Sequence, residues 1–225
     1  MSRREITNAQ FGTVFPEHSS GVFTKRQVEY DGPGVQLNDP QQPVIRVSWH
    51  EAMEFCRQVS ETTGRRVTLP TEAQWEYSAR AGTRSAFSFG PLGSDFSEHA
   101  NMADRSLACL YSGTAGVANL QPIPSVMQVD DSAIATTHTT YLPNPWGLFH
   151  MHGNAAEWTR TLFHPYPYDD HDGRNDVTSD TRGAKRVVRG GSFYDRPHRC
   201  RSAYRLAYPS WQGVHNVGFR VVVED

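Results

Sequence analysis

Residues 65–82 read RRVTLPTEAQWEYSARAG, and this stretch contains the signals for the start, the buried face and the end of one helix. Thr71 and Gln74 have the spacing of a capping box, in which two side chains satisfy backbone N–H groups at a helix start. Trp75 and Ala79 lie four residues apart and so share one helix face. Gly82 can adopt the left-handed conformation that ends a helix. The stretch therefore predicts a helix between Thr71 and Gly82.

The residues just upstream predict a second helix. Ser48 and Glu51 repeat the capping pattern, and Gly64 can end the segment. Apolar residues recur between them at helical spacing and predict one face packed on the core; they are Ala52, Phe55, Cys56 and Val59. This places Cys56 in the core rather than in a redox role.

The remaining chain indicates strands and long loops. Strand-like runs occur at Glu5–Phe11, Lys185–Val188 and Val217–Val223. From Thr83 to about Tyr141 the chain shows no clear period, which predicts a functional or mobile loop region. We expect one α+β domain over residues 1–225, with twisted antiparallel strands, two main helices and much irregular loop.

Composition excludes several classes of function. The net charge of −2, without a basic stripe, argues against a nucleic-acid partner. No apolar run approaches the roughly 20 residues that cross a bilayer, and the opening residues lack a secretory signal, so the chain as written is expected to be cytoplasmic and to have no membrane partner. Its three cysteines are too few and too widely spaced for a disulfide framework or a paired-cysteine zinc site.

Five motifs occur in the order found in one known family. They are PVIRVSWHEAMEFC (43–56), the stretch quoted above, NPWGLFHMHGNAAEW (144–158), RVVRGGSF (186–193) and NVGFRVV (216–222). Together they resemble sulfatase-modifying-factor domains of C-type-lectin-like fold. EITNAQF (5–11) is similar to a family strand that normally follows another strand, which is missing here. If the absent strand pairs with Val217–Val223 in the family, its loss exposes that edge, and we expect either that another segment covers the edge or that the chain is a fragment of a longer protein.

The family includes formylglycine-generating enzymes, sulfoxide synthases, pyoverdine-maturation enzymes and ligand-binding variable proteins, so the fold does not fix the function. In the formylglycine-generating enzymes of the family that this chain resembles, two cysteines after the RGGSF motif bind copper(I). Aligned from Arg189, the first position here is Asp195 and the second is Cys200. Aligning RSAYR (201–205) instead moves Cys200 off the catalytic position. A carboxylate is a poor copper(I) ligand, so the sequence argues against bound copper and against formylglycine generation.

The resemblance also implies structural calcium. A first site would use Asn101, the Met102 carbonyl, Asp131 and the Ala133 carbonyl. A second would use His150, Gly153, Ala155 and Glu157, although imidazole replaces the usual oxygen donor at His150.

Three features near these residues have competing interpretations. His150 and His152 could bind a transition metal, but packing and hydrogen bonding in a turn is the favoured role. Glu157 is favoured as a hydrogen-bonding buried acid over a general base. The run from Asp169 to Gly173 lacks the spacing of an EF-hand and is interpreted as a solvated turn.

In this fold the C-terminal loops line the surface used for ligands. Tyr194, Asp195, His198 and Trp211 are the candidate ligand-binding residues. The alternative places Tyr208 and Trp211 in the core, and Arg201 and Arg205 are favoured as structural residues that bond buried backbone groups.

The sequence leaves three hypotheses for the function. The first is a binding or accessory module for a peptide, protein or small molecule, with a possible partner domain in a longer parent chain. The second is a metal-dependent oxidoreductase of the formylglycine-generating or nonheme-iron type that uses Cys200 or histidines. The third is a diversified receptor-like protein that varies between Phe193 and His215.

Overall fold

The structure is a computed structural model, and it describes residues 1–23, 35–104, 107, 141–178 and 183–224. Within the described residues of the N-terminal half lie three α-helices: α1 (Asn8–Gly12), α2 (Trp49–Thr63) and α3 (Glu72–Arg80). Both longer helices begin as the sequence predicts, and α2 ends as predicted, but α3 ends one residue before the expected Gly82. Ser48 and Thr71 each form a complete capping box, Gly64 ends α2 in the left-handed conformation, and Ala81 does so for α3.

The predicted strand at Glu5–Phe11 is wrong. Thr7 and Gln10 form a third capping box, and the chain turns into α1 immediately after Thr7. Only the residues before it run alongside the sheet: the Ile6 N–H donates to the Phe219 carbonyl, and the Val44 N–H donates to the Ile6 carbonyl. The local side-chain caps thus outweigh the strand propensity of this short run.

The strands of the described residues form three sheets. β1 (Val22–Phe23) pairs with β2 (Val35–Gln36), and β3 (Arg66–Thr68) pairs with the last strand, β8 (Val222–Glu224). The largest sheet has the order β6 (Leu206–Pro209), β5 (Lys185–Arg189), β4 (Ala156–Leu162) and β7 (Val217–Phe219). All pairings are antiparallel except β4 with β7, which is parallel. The fold is therefore mixed α+β with few helices and curled, mainly antiparallel sheets.

The predicted strand at Val217–Val223 is divided into β7 and β8 around Arg220. The Arg220 side chain is completely buried and donates to the carbonyls of Ser2 and Phe149. The outer edge of this segment is covered, because the Ser2 N–H donates to the Val221 carbonyl and the Ile6 N–H to that of Phe219. This edge is therefore covered by the N-terminal segment.

The main core lies between α2 and the four-stranded sheet. Its fully enclosed members include Phe11, Val44, Ala52, Trp158 and Phe219, and Cys56 lies among them as predicted. Burial of such side chains is the main stabilising contribution in a domain of this size. Residues 83–104 are turns and irregular chain, with one isolated bridge between Phe87 and Gly90. Among the described helices, none is long and apolar enough to span a membrane.

Candidate functional site

The candidate site is the loop that follows β5, from Gly190 to Cys200. Gly190 and Gly191 both have positive φ angles, 88° and 66°, and turn the chain back under the sheet. A Cβ atom on Gly191 would lie 2.6 Å from the Cys200 sulfur. Only glycine therefore allows the two ends of this loop to approach so closely.

Asp195 stabilises the loop from inside. Its carboxylate accepts the Ser192 N–H at 3.1 Å and the Ser192 hydroxyl at 2.7 Å, and the side chain is only 5% exposed. Asn216, just before β7, donates to the same hydroxyl at 2.7 Å. These bonds commit one carboxylate oxygen of Asp195 to the loop structure.

Cys200 lies beneath this loop and is completely buried. It packs with Phe87, Phe96, Ala100 and Met102, and its thiol points toward the Asp195 carbonyl at 3.7 Å. Burial and the nearby Asp195 carboxylate raise the pKa of the thiol well above its ordinary value. Cys200 is therefore held as a neutral thiol, whereas the thiolate is the nucleophile and metal ligand.

His152 fixes the backbone at Cys200. Its Nε2 accepts the Ser88 N–H at 3.1 Å, so Nδ1 carries the proton and donates to the Cys200 carbonyl at 2.9 Å. Burial lowers the pKa of His152 to about 4. The ring is neutral at pH 7, and both of its nitrogens are used within the fold.

The outward face of the loop carries the exposed candidate residues. Tyr194 is 40% exposed and contacts the rings of His215 and Phe23. His198 is exposed and lies near the Tyr204 ring, at 6.5 Å between centroids. Trp211 follows β6 and is 67% exposed, so it is not a core aromatic residue. Asp195, by contrast, is buried below this face.

The second expected calcium set is organised around a guanidinium group. Arg220 donates to both Glu157 oxygens at 2.7 Å, and the Trp75 indole N–H donates to Oε2 at 2.6 Å. Burial raises the pKa of Glu157 above its ordinary value, and the Arg220 charge offsets part of that rise. Both Glu157 oxygens already accept hydrogen bonds from Arg220 or Trp75, so the set as arranged does not fit a calcium ion.

His150 belongs to the same set and is paired with Glu5. Its Nδ1 lies 3.0 Å from the Glu5 carboxylate, and Asn154 donates to the other Glu5 oxygen at 2.8 Å. Burial works to raise the pKa of Glu5, but His150 and Arg220 outweigh it and hold that pKa below the ordinary value. The set's remaining members are Gly153, whose N–H donates to the Gly190 carbonyl, and the buried Ala155.

The first expected calcium set is described only in part. Asn101 and Met102 are both completely buried. The Asn101 carbonyl accepts the Asn154 N–H at 2.7 Å and lies 2.0 Å from where a Cβ atom on Gly153 would stand. Asp131 and Ala133 lie outside the described residues. Within the described part of the chain, no group of three or more His, Cys, Asp or Glu side chains could hold a metal ion.

The pairing of arginines with glutamates on α3 is the part of the scaffold that the sequence did not predict. Arg189 on β5 donates to Glu72 at 2.7 Å and also reaches Glu76, so the sheet and α3 are joined by charge. Arg205 pairs with Glu72 and lies between the rings of Phe163 and Tyr166. Single arginines recur through the C-terminal quarter and were the available signal, but the Glu72 partner of Arg189 and Arg205 is over 100 positions away.

The structure also describes the environment of Arg201 and of the Asp169–Gly173 run, for which the sequence made predictions. Arg201 is only partly buried and donates to the His198 carbonyl at 2.7 Å, so its bond is local and exposed. In the Asp169–Gly173 run, Asp169 and His171 are exposed, as expected of a solvated turn. Asp172, however, pairs with Arg174 at 2.7 Å and with His164 at 3.0 Å.

Comparison with known proteins gives consistent matches over most of the chain. A family model described as sulfatase-modifying factor enzyme 1-like domain matches residues 1–225. The formylglycine-generating enzyme of Streptomyces coelicolor is 31% identical over 187 residues, which cover 80% of this chain and 52% of that protein. A mouse protein described as inactive C-alpha-formylglycine-generating enzyme 2 is 27% identical over 197 residues, covering 84% of this chain and 53% of that protein. The chain thus spans about half the length of these relatives.

Solved structures show the same fold. PvdO from Pseudomonas aeruginosa superposes with a TM-score of 0.71 at 22% identity, covering 99% of this chain and 79% of that one. The variable protein 1 of Treponema denticola gives a TM-score of 0.68 at 18% identity, covering 97% and 82%. At these identities the likeness extends to the architecture alone.

Proposed function

The chain belongs to the sulfatase-modifying factor enzyme 1-like domain family, and we propose that it acts in that family as a binding or accessory module without formylglycine-generating activity. The proposed ligand is a peptide or protein segment that contacts the C-terminal loops. Relatives matched over about half their length include both active enzymes and a protein described as inactive. Membership is thus compatible with either role.

The observation that carries the proposal is the pair of positions after the RGGSF motif. Asp195 stands at the first, and its carboxylate is committed to the Ser192 backbone and hydroxyl. Cys200 stands at the second, and its sulfur is completely buried as a thiol. Copper(I) prefers soft thiolate ligands, and disulfide exchange needs an accessible thiolate. The loop supplies neither a pair of thiolate ligands nor an accessible thiolate.

The loop surface supports the binding role. Tyr194, Arg196, His198 and Arg199 are exposed on consecutive turns of one loop. Tyrosine and arginine are the side chains that most often anchor protein interfaces, and the arginines favour a ligand with acidic groups. An acidic segment with one or two aromatic residues is therefore the ligand class that this surface suits best.

A copper titration tests the missing activity. Anaerobic competition for copper(I) against a chelator is measured for the wild-type protein, for Asp195→Cys and for the control Asp195→Asn, which keeps a hydrogen-bond acceptor without a thiol. Each protein is also incubated aerobically with a peptide carrying the Cys-x-Pro-x-Arg motif and analysed by mass spectrometry. We expect neither tight copper binding nor aldehyde formation by the wild-type protein or by Asp195→Asn, and Asp195→Cys shows whether a second thiol is sufficient while Cys200 is buried. One-to-one binding with aldehyde formation by the wild-type protein would establish the oxidoreductase alternative and make Cys200 catalytic.

A peptide array tests the binding role. Fluorescently labelled wild-type protein is applied to synthetic peptides graded in acidic and aromatic content, and hits are titrated by fluorescence polarisation. Truncation of an anchor, Tyr194→Ala or His198→Ala, is expected to weaken binding by about fivefold or more. Tyr77→Ala is the matched control, because Tyr77 is 69% exposed on α3. Equal losses in all three variants, or no preference for acidic peptides, would contradict the proposed surface.

A further inference from the structure

The segment before α2 brings a charged side chain to the surface that carries Tyr194. Arg46 lies between Ile45 and Val47, which are both completely buried, and is itself exposed. Its φ angle is 62°, in the left-handed region that favours glycine. Residues other than glycine are uncommon in this region, and those held there cluster at functional sites. The backbone at Arg46 thus indicates a function for its side chain.

The backbone of Arg46 is held against the loop between β6 and β7. Its N–H donates to the Val214 carbonyl at 3.1 Å. A Cβ atom on Gly213 would lie 2.4 Å from the Arg46 carbonyl oxygen, so only glycine allows this approach. The ring of His215, the residue after Val214, contacts the Tyr194 ring edge to face at 5.2 Å between centroids. Arg46 is therefore fixed beside a residue that packs on Tyr194.

The guanidinium group of Arg46 is also held in place. Its Nη2 donates to the Val22 carbonyl at 3.2 Å. A Cβ atom on Gly21 would lie 2.7 Å from Nη1 and 2.9 Å from the guanidinium carbon, so the group packs directly on the Gly21 backbone. Phe23, the residue after Val22, contacts the Tyr194 ring at 6.2 Å between centroids. A second set of contacts thus connects Arg46 to Tyr194.

The Arg46 charge is available to a ligand. Among the described residues, the Val22 carbonyl is the one hydrogen-bond partner of its guanidinium, which has several further N–H donors, and no carboxylate forms an ion pair with it. Burial lowers the pKa of His215 below its ordinary 6.5, the Arg46 charge lowers it further, and Asp195 opposes both effects. Because His215 is then neutral at pH 7, the positive charge on this side of Tyr194 belongs to Arg46.

We propose that Arg46 anchors a carboxylate of the segment that binds this surface. The carboxylate, from an acidic side chain or from a free C-terminus, accepts N–H groups of the guanidinium, and an aromatic side chain of the same segment packs on Tyr194. A planar guanidinium matches a carboxylate in geometry and charge, and such hydrogen bonds are stronger than neutral ones. Arg46 lies outside the C-terminal loops, so this assignment, which rests on the proposed function, extends the binding surface to the segment before α2.

Three N-acetylated peptides are the probes for this anchor: Gly-Tyr-Glu-Gly amide, Gly-Tyr-Gln-Gly amide and Gly-Tyr-Gly with a free C-terminal carboxylate. Affinities are measured by NMR titration of 15N-labelled protein, in which the Arg46 Nε–H signal is followed. A carboxylate peptide is expected to bind at least about fivefold more tightly than the glutamine peptide and to shift that signal. The tighter of the two carboxylate peptides identifies the source of the carboxylate. Equal affinities of all three peptides, or an unmoved Arg46 signal, would overturn the proposal.

The variant Arg46→Gln separates contact with the ligand from support of the fold. If Arg46 contacts the carboxylate, the preference over the glutamine peptide disappears in Arg46→Gln and is partly kept in Arg46→Lys. If Arg46 only supports Val22, all three peptides lose affinity together and the preference stays, which refutes the anchor. Arg65→Gln is the matched control, because Arg65 is exposed beyond the opposite end of α2. Loss of the preference in Arg196→Gln instead of Arg46→Gln would also refute the anchor.

The variant Tyr194→Ala distinguishes a failure of this anchor from a failure of the proposed function. Weaker binding in Tyr194→Ala, together with an unchanged preference in Arg46→Gln, would refute the role of Arg46 alone. Unchanged binding in both Tyr194→Ala and His198→Ala, or no binding of any of the three peptides, would refute the peptide surface and the anchor with it.

Discussion

The neutral, buried His152 should make the stability of this protein depend on pH. The ring accepts from Ser88 and donates to the Cys200 carbonyl, and burial lowers its pKa from an ordinary 6.5 to about 4. In the unfolded chain the same ring binds a proton below about pH 6.5. The stabilising contribution is therefore complete above that pH and is lost as the pH falls toward 4, because protonation then favours the unfolded state.

The size of the effect follows from the shift. A difference of about 2.5 pKa units, at about 1.4 kcal/mol for each unit, corresponds to about 3.5 kcal/mol, of which about 3 kcal/mol is lost by pH 4. His152→Gln is the informative change, since the amide can also accept from Ser88 and donate to the Cys200 carbonyl but does not titrate. We expect the free energy of unfolding of the wild-type protein to fall by about 3 kcal/mol more than that of the variant between pH 7 and pH 4.

The assay is urea unfolding followed by circular dichroism at several pH values. The quantity of interest is the difference between the two pH profiles, so a constant loss of stability in the variant does not affect the test. His171→Gln serves as the control, because the His171 ring is 93% exposed. Parallel profiles for the wild-type protein and His152→Gln would refute the argument that burial keeps this ring neutral.

Two further predictions concern the interior. Arg220→Met leaves the completely buried Glu157 without its partner and should lower the free energy of unfolding by about 3–5 kcal/mol. Arg57→Met removes a solvent-exposed pair and should cost far less in the same urea titration. Similar losses in the two variants would contradict the role of burial. The third cysteine, Cys109, lies outside the described residues and is removed by Cys109→Ser. In that background a thiol reagent should leave the buried Cys200 unmodified until denaturant is added, as located by peptide mass spectrometry. Rapid labelling of Cys200 in the folded protein would show its sulfur to be accessible.

The parts of the fold that could be predicted are those fixed by neighbouring residues. Caps at Ser48 and Thr71 and the stop at Gly64 define α2 and α3 within a few residues, and the structure has them in place. The same reasoning failed near the N-terminus, where Thr7 and Gln10 have the identical spacing but the run was interpreted as a strand. The parallel pairing of β4 with β7 could not be predicted, because it joins residues about 60 positions apart.

The candidate site was predictable in position but not in environment. Family motifs placed Asp195 and Cys200 in one loop, and the structure brings them together. The complete burial of the Cys200 sulfur depends on Phe87, Phe96 and Met102, which come from a distant segment without periodicity. The charge on Glu157 is likewise matched by a residue 63 positions later. Long-range packing, rather than local pattern, decides what these side chains can do.

The hydrogen bonds that join Ile6 to Phe219 and Ser2 to Val221 also constrain the order of folding. These partners are separated by more than 200 positions, so the ribosome must release nearly all of the described chain before the N-terminal segment finds its place. Until then the core that contains Val44 and Phe11 is incomplete, and its apolar surface can contact other nascent chains. The domain therefore completes its folding late and in a single step. Its yield in a cell should depend on how well chaperones cover the exposed apolar surface until that step.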